Sequence, residues 1–289
     1  YCFGCKEGKK ELECEDHGKC KLYSRRVVDV KKYLRDASRI LRMNGQLPDL
    51  IKGIRGTSSE SHDAEHLAKG ILRSKFNLNV NKDGTVRYDM TELPVTHFKS
   101  KEIGTSVEKL KELGYTLDYL GKPLVDENQI IELMPHDVIL PSNVESGDER
   151  ADEVFFNLGN FLDVLFEKLY KMDKFYNFEK KSDVVGHLAV CMAPHNCAGV
   201  ISRIIGFSKT QGLMASPYMH AAMRRDCDGD EAAVMMLLDV LVNFSRKYLP
   251  GHRGGTQDAP LVLNGKMVAG EVDDQILDFE VCDNYPLEL

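Results

Sequence analysis

The sequence predicts an α+β fold, because strand-like and helix-like segments follow one another in mixed order along its 289 residues. Apolar runs of strand length, such as VVGHLAVCMAP and AGVISRIIGF, are interspersed with amphipathic stretches of helical length. The composition, 43% hydrophobic and 29% charged, is that of a globular protein with enough chain to bury a core. No apolar run approaches the roughly 18 residues that a membrane span needs.

The first element is a short segment, YCFGCKEGKKELECEDHGKC, that contains two pairs of metal-binding residues. The two members of each pair are separated by two residues, and the pairs are Cys2 with Cys5 and Cys14 with His17. Zn²⁺ takes four tetrahedral sulfur or nitrogen ligands, and each such turn brings two of them to one ion. Residues 1–22 are therefore predicted to form a module with a closed, structural Zn²⁺ site. His17 has the better spacing for the fourth ligand, and Cys20 is the alternative.

The other cysteines, at positions 191, 197, 227 and 282, are scattered and do not have the spacing of a disulfide framework. A metal-binding cluster beside scattered thiols is typical of a reducing compartment, so we expect a cytoplasmic protein. The chain begins at Tyr1, directly inside the cysteine motif and without a methionine. We therefore expect it to be part of a longer protein.

The second segment, residues 23–60, is predicted to be a basic helical linker. The pattern is helical from about Ser24 to Leu47. The stretch from Lys21 to Arg55 contains ten lysines and arginines but only three aspartates, although the net charge of the whole chain is −7. Such a stretch either attracts polyanions or forms a solvated helical face, and the negative total predicts that any nucleic-acid contact is local.

Residues 61–180 are predicted to form a mixed region of helices and strands that packs on the core. A polar loop precedes a short helix in HLAKGILRSK, and KDGTVRYDM is a strand behind a turn at Asp83-Gly84. IGTSVEKLKELGY is a short helix closed by Gly114. NQIIELMPHDVILP is predicted to be a pair of strands, and an amphipathic helix is expected over about 152–172.

The last segment, residues 181–289, begins with the two strand-length apolar runs quoted above. A long buried helix is predicted from Glu231 to about Tyr248, stopped by Pro250-Gly251. APLVLNG and YPLEL are expected to be extended. The stretch HAAMRRDCDGDE is therefore predicted to be a loop between strand-rich sequence and a helix.

This loop crowds three aspartates into five positions: Asp226, Asp228 and Asp230. An extended or looped backbone places alternate residues on one side, and Gly229 lets the chain turn tightly between them. Converging carboxylates repel one another unless a cation lies among them, and Mg²⁺ prefers such hard oxygen ligands. The positive end of the helix predicted to start at Glu231 is expected to stabilise the cluster further.

Two other interpretations of the loop were weighed. A calcium-binding EF-hand needs glycine at its sixth position and glutamate at its twelfth, where this sequence has Glu231 and Leu237. The calcium interpretation therefore fails. An acidic helix cap, neutralised by Arg224 and Arg225, stays open on spacing alone.

The stretch MHAAMRRDCDGDEAAVMMLLDVLVNFSRKYLPGHRGGTQDAPLVL closely resembles the catalytic region of the large subunit of archaeal family D DNA polymerase. The resemblance extends upstream through VVGHLAVCMAPHNCAGVISRIIGF, TELPVTHFKSKEIGTSVEKLKELGYT and KGILRSKFNLNVNKDGTVRYD, and so covers essentially the whole chain. The D-x-D-G-D core is also similar to the metal-binding loop of multisubunit RNA polymerases. Both families build the site between two double-psi β-barrels, so the resemblance implies a double-psi β-barrel in residues 181–289.

The resemblance implies that Asp228 and Asp230 are catalytic and bind metal. Asp226 stands where archaeal members commonly have asparagine, and it is expected to bind metal as well. Met223 replaces a lysine usual in the family, so one phosphate or DNA contact is expected to be missing. The family's upstream barrel has a lysine motif of the G-R-P-E-K-A-K type that is absent from this sequence. We therefore expect the chain alone to be a poor catalyst.

Basic side chains near the loop are candidates for substrate contacts. Arg224 and Arg225 are candidates for phosphate or primer-backbone contacts, because arginine binds phosphate oxygens in bidentate fashion. Arg203 is a candidate of the same kind, with a salt bridge as the alternative. His195 and His220 are candidates for lining the site, with a structural hydrogen bond as the alternative for each.

The implied reaction is nucleotidyl transfer from a deoxynucleoside triphosphate to a primer 3′-hydroxyl by a mechanism with two Mg²⁺ ions. DNA primer-template and nucleotide are the implied substrates, and no membrane partner is expected. The resemblance further implies a small subunit with proofreading exonuclease activity, a sliding clamp and a place in the archaeal cytosol.

Three rival functions have weaker support. His62, Glu65 and His66 have the H-x-x-E-H spacing of one class of zinc protease, but a five-residue match is common by chance and no third ligand is identifiable. A non-catalytic nucleic-acid-binding scaffold of a replication complex is opposed by the intact Asp228-Gly229-Asp230. An RNA-synthesising relative with the same aspartate loop is the third, since no residue can be assigned to recognising a 2′-hydroxyl.

Overall fold

The structure is a computed structural model that describes residues 2, 5, 13–20, 29–43, 47–54, 65–194, 198–226, 228–245 and 261–267. The chain divides into two compact units, 1–37 and 38–289. Within the described ranges, no helix has both the length and the apolar character that crossing a membrane requires.

The first unit contains a small hairpin followed by the start of a helix. Strand β1 (Glu13–Cys14) pairs antiparallel with β2 (Gly18–Lys19), and Gly18 has a φ of 72° where the chain turns back. Helix α1 runs over Val30–Leu41, so the helix predicted for this stretch is confirmed in its central part. It ends at Arg42, whose φ of 53° lies in the left-handed region and breaks the helical hydrogen-bond pattern.

The second unit is organised around β-structure. Its strands are β3 (Tyr88–Pro94), β4 (His97–Lys99), β5 (Ile130–Glu132), β6 (Asp137–Pro141), β7 (Leu188–Met192), β8 (Ala198–Ser208), β9 (Leu213–Ala215), β10 (Glu231–Met236) and β11 (Val262–Asn264). Six of them close into a barrel in the order β8-β6-β9-β3-β10-β7, with β7 returning to β8. Two of the six pairs in the ring are parallel (β3 with β9, β6 with β8) and the other four are antiparallel, and β11 adds to β8 from outside the ring.

Helices surround this barrel. They are α2 (Leu67–Lys75), α3 (Val107–Glu112), α4 (Ala151–Leu165), α5 (Pro217–Ala222) and α6 (Leu237–Asn243). Ser106 and Ser216 cap α3 and α5, because each side-chain oxygen accepts a backbone N–H of the first turn. Gly114, at a φ of 106°, closes α3 as predicted. The longest helix, α4, buries Phe155, Leu158 and Phe161 completely and continues into a π-helical turn at Phe166–Tyr170.

The α+β class and a closed barrel are thereby confirmed, and the double-psi arrangement stays a prediction. The long helix predicted from Glu231 to about Tyr248 is wrong. Residues Glu231–Met236 form strand β10, and α6 covers only Leu237–Asn243. The five residues after Glu231 are all fully buried, since β10 pairs with β3 on one side and β7 on the other. A strand buried on both faces has no alternating polar positions, so its apolar run is indistinguishable from that of a buried helix.

The strands predicted in NQIIELMPHDVILP exist, but they do not pair with each other. Strand β5 pairs with β4 in a separate two-stranded sheet, whereas β6 joins the barrel between β8 and β9. The short β4–β5 sheet lies on a hydrophobic cluster with α3, to which Phe98, Leu110 and Ile131 contribute buried side chains. A turn in which the Asp137 N–H donates to the Met134 carbonyl at 3.0 Å lies between the two strands.

Candidate active site and metal centre

The aspartate loop, defined here as residues 224–230, joins α5 to β10. It is therefore a connection between a short helix and a strand, and the positive end of a helix predicted at Glu231 is not there to stabilise it. Two main-chain hydrogen bonds close its ends: the Arg225 N–H donates to the His220 carbonyl at 3.1 Å, and the Glu92 N–H donates to the Asp230 carbonyl at 2.9 Å. Gly229 has a φ of 96°, a conformation that side chains other than glycine adopt only with strain.

The three aspartates of this loop differ in exposure. Asp226 and Asp228 are exposed, and Asp230 is partly buried beside β3. The Arg225 guanidinium forms an ion pair with Asp230, with Nη1 3.2 Å from Oδ2. Within the ranges that the structure describes, the three carboxylates are not gathered into a metal-type cluster.

The chemistry of the loop nevertheless suits a hard divalent cation. Three carboxylates offer only oxygen ligands, and their exposure leaves coordination positions for water or phosphate oxygens. Arg224 is exposed immediately before them, at a φ of 59°. The loop could therefore hold Mg²⁺ through Asp226, Asp228 and Asp230 while presenting a cation to an anionic substrate.

His220 is placed differently from the expectation that it lines the site. It lies on the inner face of α5, is 0% exposed, and has Nδ1 2.9 Å from Glu92 Oε2. Glu92 is 2% exposed in β3, on the same face of the strand as the buried Met90. Glu92 was missed by the sequence reasoning, although the two-residue period of a strand places it on the buried face with Met90.

Arg203 also has a structural partner. It lies in β8 and binds Asp137 of β6 in bidentate fashion, with Nε 2.9 Å from Oδ1 and Nη2 2.7 Å from Oδ2. Asp137 is buried and also accepts the Tyr115 hydroxyl at 2.5 Å. The hydrogen bond to Asp137 raises the pKa of Arg203 further, and burial, followed by the Asp137 charge, raises the pKa of Tyr115. Arg203 therefore forms the salt bridge that was the alternative to a substrate contact. His195 lies outside the described residues.

A second candidate centre is formed in the first unit by Cys2, Cys5, Cys14 and His17. One ligand atom from each lies within 4.8 Å of all the others. Cys5 Sγ is 3.6 Å from Cys14 Sγ and 3.2 Å from His17 Nδ1, and Cys14 Sγ is 3.8 Å from that nitrogen. Ligand atoms around tetrahedral Zn²⁺ are about 3.8 Å apart when the metal–sulfur distance is about 2.3 Å, so this group fits zinc. Cys20 is described but is not a member of the group.

The cysteines of this cluster shift the pKa values of one another. The side-chain hydrogen bond with His17 is the main cause that lowers the pKa of Cys14 to about 6. The side-chain hydrogen bond with Cys14, followed by desolvation, raises the pKa of Cys5 to about 12. A bound Zn²⁺ would hold both sulfurs as thiolates, so metal binding would release the protons that they carry.

The H-x-x-E-H match does not assemble a protease site in the residues that are described. Glu65 binds the buried Arg73, with Oε1 3.0 Å from Nη2 and a second contact through Oε2. His66 caps α2 by accepting the Ala68 N–H at Nδ1, 3.1 Å away. His62 lies outside the described residues. Both described members of the motif are thus engaged in holding α2.

Exposed basic residues follow the hairpin in the first unit. Lys31, Lys32 and Arg35 are exposed on α1, and Tyr33 between them is 58% exposed. Ala37, on the opposite side of the helix, is buried. This basic face supplies positive charge and an aromatic ring to solvent, a combination found on nucleic-acid-binding surfaces.

Comparison with known proteins gives one consistent result. A family model described as "DNA polymerase II large subunit DP2, catalytic domain" matches residues 44–289. The DNA polymerase II large subunit of Archaeoglobus fulgidus is 48% identical over 289 residues, which are 100% of this chain and 25% of that protein. The subunit of Nanoarchaeum equitans is 47% identical over 279 residues, or 93% of this chain and 22% of that protein. For Pyrococcus furiosus the identity is 47% over 270 residues, or 93% and 21%. The chain thus spans a quarter or less of each of these curated relatives.

Proposed function

Because the chain belongs to the family of the DNA polymerase II large subunit catalytic domain, we propose that it forms part of the catalytic core of an archaeal DNA polymerase. The reaction is nucleotidyl transfer from a deoxynucleoside triphosphate to a primer 3′-hydroxyl. The relatives from Archaeoglobus fulgidus, Nanoarchaeum equitans and Pyrococcus furiosus are named as DNA polymerase II large subunits, and the aspartate loop would supply the chemistry that the reaction needs.

The observation on which this proposal depends is that the aspartate loop is hydrogen-bonded at both of its ends. The loop is short, and both its ends are hydrogen-bonded to buried residues of the barrel and α5. Asp226 and Asp228 face solvent, where a triphosphate and a primer end can reach them. Phosphoryl and nucleotidyl transfer depend mainly on positioning and on stabilising negative charge, so exposed carboxylates next to arginines, on a loop hydrogen-bonded at both ends, suit this task.

When bound, Mg²⁺ lowers the pKa of the primer hydroxyl and balances the charge of the triphosphate and the leaving pyrophosphate. Asp228 and Asp230 would supply the metal ligands, and Asp226 would add a further oxygen. Arg224 is exposed and contacts phosphate oxygens of the nucleotide or primer. Arg225 is tied to Asp230 in the structure, so it neutralises that carboxylate before it contacts any substrate.

The zinc cluster has a structural role in this proposal. Cys2, Cys5, Cys14 and His17 would complete a tetrahedral shell around Zn²⁺ and leave no open position for water or substrate. The module of residues 1–22 would then be held together by the metal, because a hairpin of two-residue strands buries too little to be stable alone.

DNA is the proposed partner of the basic face of α1. Lys31, Lys32 and Arg35 would contact backbone phosphates without reading sequence. From the family, we further propose two protein partners, a small subunit with proofreading exonuclease activity and a sliding clamp. We also propose a location in the archaeal cytosol. The division into 1–22, 23–60, 61–180 and 181–289 belongs to the same proposal. So does a double-psi arrangement of the barrel, which is not confined to 181–289 as the sequence predicted, because strands β3 and β6 of 61–180 are two of its six strands.

One observation favours a second candidate, a barrel that binds nucleic acid without catalysis. The Asp230–Arg225 ion pair places a protein cation where a metal would otherwise balance the charge. If Arg225 stayed paired with Asp230, that carboxylate would not bind a metal. The loop would then contact DNA without forming a metal site.

Primer extension by the full-length subunit decides between the two. Asp228→Asn is compared with wild type, and Asp173→Asn, which changes an exposed aspartate of the same unit, is the matched control. We expect Asp228→Asn to abolish extension and Asp173→Asn to leave it intact. Full activity in Asp228→Asn would refute the site, and activity with ribonucleotides alone would refute the substrate.

A further inference from the structure

We propose that Glu92 and His220 are positioning residues, a buried pair that fixes the distance between the two ends of the aspartate loop. This inference rests on the proposed function, because it concerns the geometry of the same metal-binding carboxylates. Neither residue is expected to touch metal, nucleotide or DNA.

The first step is that the two residues hold opposite ends of one loop through their main chains. The His220 carbonyl accepts the N–H of Arg225 at 3.1 Å, at the start of the loop. The Glu92 N–H donates to the carbonyl of Asp230 at 2.9 Å, at its end. Each end of the loop is therefore attached to one member of the pair.

The second step is that the two side chains meet beneath the loop. His220 Nδ1 lies 2.9 Å from Glu92 Oε2, and both side chains are 0% exposed. The contact does not have the alignment of a directed hydrogen bond, and the described part of the chain gives neither side chain another hydrogen-bond partner. The chain from Arg225 to Asp230, its two end hydrogen bonds and the side-chain contact together form a closed ring.

The third step is energetic. A buried polar side chain without a partner is costly, so each member of this pair keeps the other in place. A shift of α5 relative to β3 would separate the two side chains and at the same time move the loop ends apart. The helix is also held at its other end, where Ser216 Oγ donates to the Pro135 carbonyl at 3.2 Å. The pair therefore makes the loop span insensitive to small movements of α5.

A fixed span matters because metal ligands must lie within a fraction of an ångström of their positions to bind well. Residues that orient ligands without binding the metal change metal affinity by about 10- to 100-fold when mutated. The pair is thus expected to affect how tightly the loop binds a divalent cation, and not only how stable the barrel is.

The test measures the dissociation constant for Mn²⁺ on the full-length subunit, by electron paramagnetic resonance of the free ion. Glu92→Gln keeps the shape of the side chain and the backbone N–H but removes the charge. His220→Asn places an amide where Nδ1 lies, whereas His220→Gln places it near the position of Nε2. Because the contact is made through Nδ1, His220→Asn should retain most of the affinity.

We expect Glu92→Gln and His220→Gln to weaken Mn²⁺ binding by about tenfold. The matched control is Glu65→Gln, which breaks another buried carboxylate pair of the same unit, with Arg73. All variants are compared at a temperature where hydrogen exchange shows them folded. Wild-type affinity in Glu92→Gln and His220→Gln would overturn the inference, and so would equal weakening by Glu65→Gln, which would indicate general destabilisation.

Asp228→Asn separates this outcome from failure of the proposed function. If Asp228→Asn weakens Mn²⁺ binding while Glu92→Gln does not, the metal site stands and the positioning role is refuted. If Asp228→Asn leaves Mn²⁺ binding unchanged, the loop is not the metal site and the proposed function fails with it.

Discussion

Arg225 and Asp230 form an ion pair across the aspartate loop, with Nη1 3.2 Å from Oδ2. Both side chains are about a third exposed, so solvent weakens their attraction considerably. The arginine nevertheless reduces the repulsion that Asp230 exerts on Asp226 and Asp228. A divalent cation binding to the loop would compete with this internal cation for one carboxylate.

Arg225→Gln is therefore expected to tighten Mn²⁺ binding by the full-length subunit. A partly exposed ion pair is worth about 0.2–1 kcal/mol, which corresponds to an affinity gain of up to about fivefold. The same change should weaken binding of primer-template and reduce the slope of log affinity against log salt by about one, if Arg225 also contacts phosphate.

Arg203→Gln is the matched control for this experiment, because it removes an arginine whose partner is Asp137 of the barrel and not a loop aspartate. Its Mn²⁺ affinity should equal that of wild type. Unchanged or weaker Mn²⁺ binding by Arg225→Gln would show that the ion pair does not oppose metal binding.

The aspartates should differ in importance. Asp228→Asn is expected to lower the rate of primer extension by more than about a hundredfold, since it removes a charged ligand of the proposed metal site. Asp226→Asn keeps a side-chain oxygen that can still bind the metal, and its rate should stay within about tenfold of wild type. Single-turnover extension at saturating nucleotide measures both. Equal losses in the two variants would show that Asp226 is as essential as Asp228.

Cys14→Ser should release zinc from the purified subunit, whereas Cys20→Ser should retain it, because only Cys14 belongs to the gathered cluster. Metal content by mass spectrometry measures the difference. The affinity for zinc should also fall with pH. Cys5, whose pKa is raised to about 12 by its hydrogen bond to Cys14, must lose its proton on binding, which predicts at least about a tenfold loss per pH unit from 8 to 7.

Zinc retained by Cys14→Ser would show that Cys14 is not a ligand. Zinc lost by Cys20→Ser would show that Cys20, the alternative to His17, is the fourth ligand. An affinity that is independent of pH would show that Cys5 does not bind the metal as a thiolate.

The sequence predicted local structure where a short-range signal, such as a helix-closing glycine or an apolar run of strand length, was present. Gly114 closes α3 and the strands β7 and β8 lie where their apolar runs predict, because these signals depend on near neighbours. Strand β10 was misassigned because burial by both β3 and β7 removes the alternation that distinguishes a strand.

The environment of the candidate site was less accessible to sequence reasoning. His220 was expected among the substrate-contacting residues because arginines and aspartates follow it closely. Its inward orientation depends on Glu92, which is far away in sequence and approaches only because β3 pairs with β10. Arg203 likewise meets Asp137 only through the parallel pairing of β6 with β8. Such partners are set by tertiary structure, which the local pattern does not contain.

Asp239 of α6 gives the unit a pH-dependent stability. It is fully buried, and burial raises its pKa from 3.8 to about 6. Its Oδ2 accepts the Val86 N–H at 2.8 Å and its Oδ1 accepts the Asn243 amide at 2.7 Å. Because the folded pKa is the higher one, the folded state holds the proton more tightly. The stabilisation of the folded state by protonated Asp239 is fully present below about pH 4 and is lost as the pH rises through about 6.

Asp239→Asn should remove this dependence, because an amide does not ionise. The free energy of opening, variant minus wild type, is expected to rise on the order of 2–3 kcal/mol between pH 4 and pH 7. Hydrogen exchange of the peptide containing Val86 measures it, since that amide is protected by Asp239 itself. The matched control is Asp126→Asn. The Asn128 N–H lowers the pKa of this exposed carboxyl, so Asp126 changes its protonation below pH 4. The free energy of opening of Asp126→Asn, relative to wild type, should therefore stay constant between pH 4 and pH 7. A flat difference for Asp239→Asn as well would mean that Asp239 is ionised in the folded protein throughout this range.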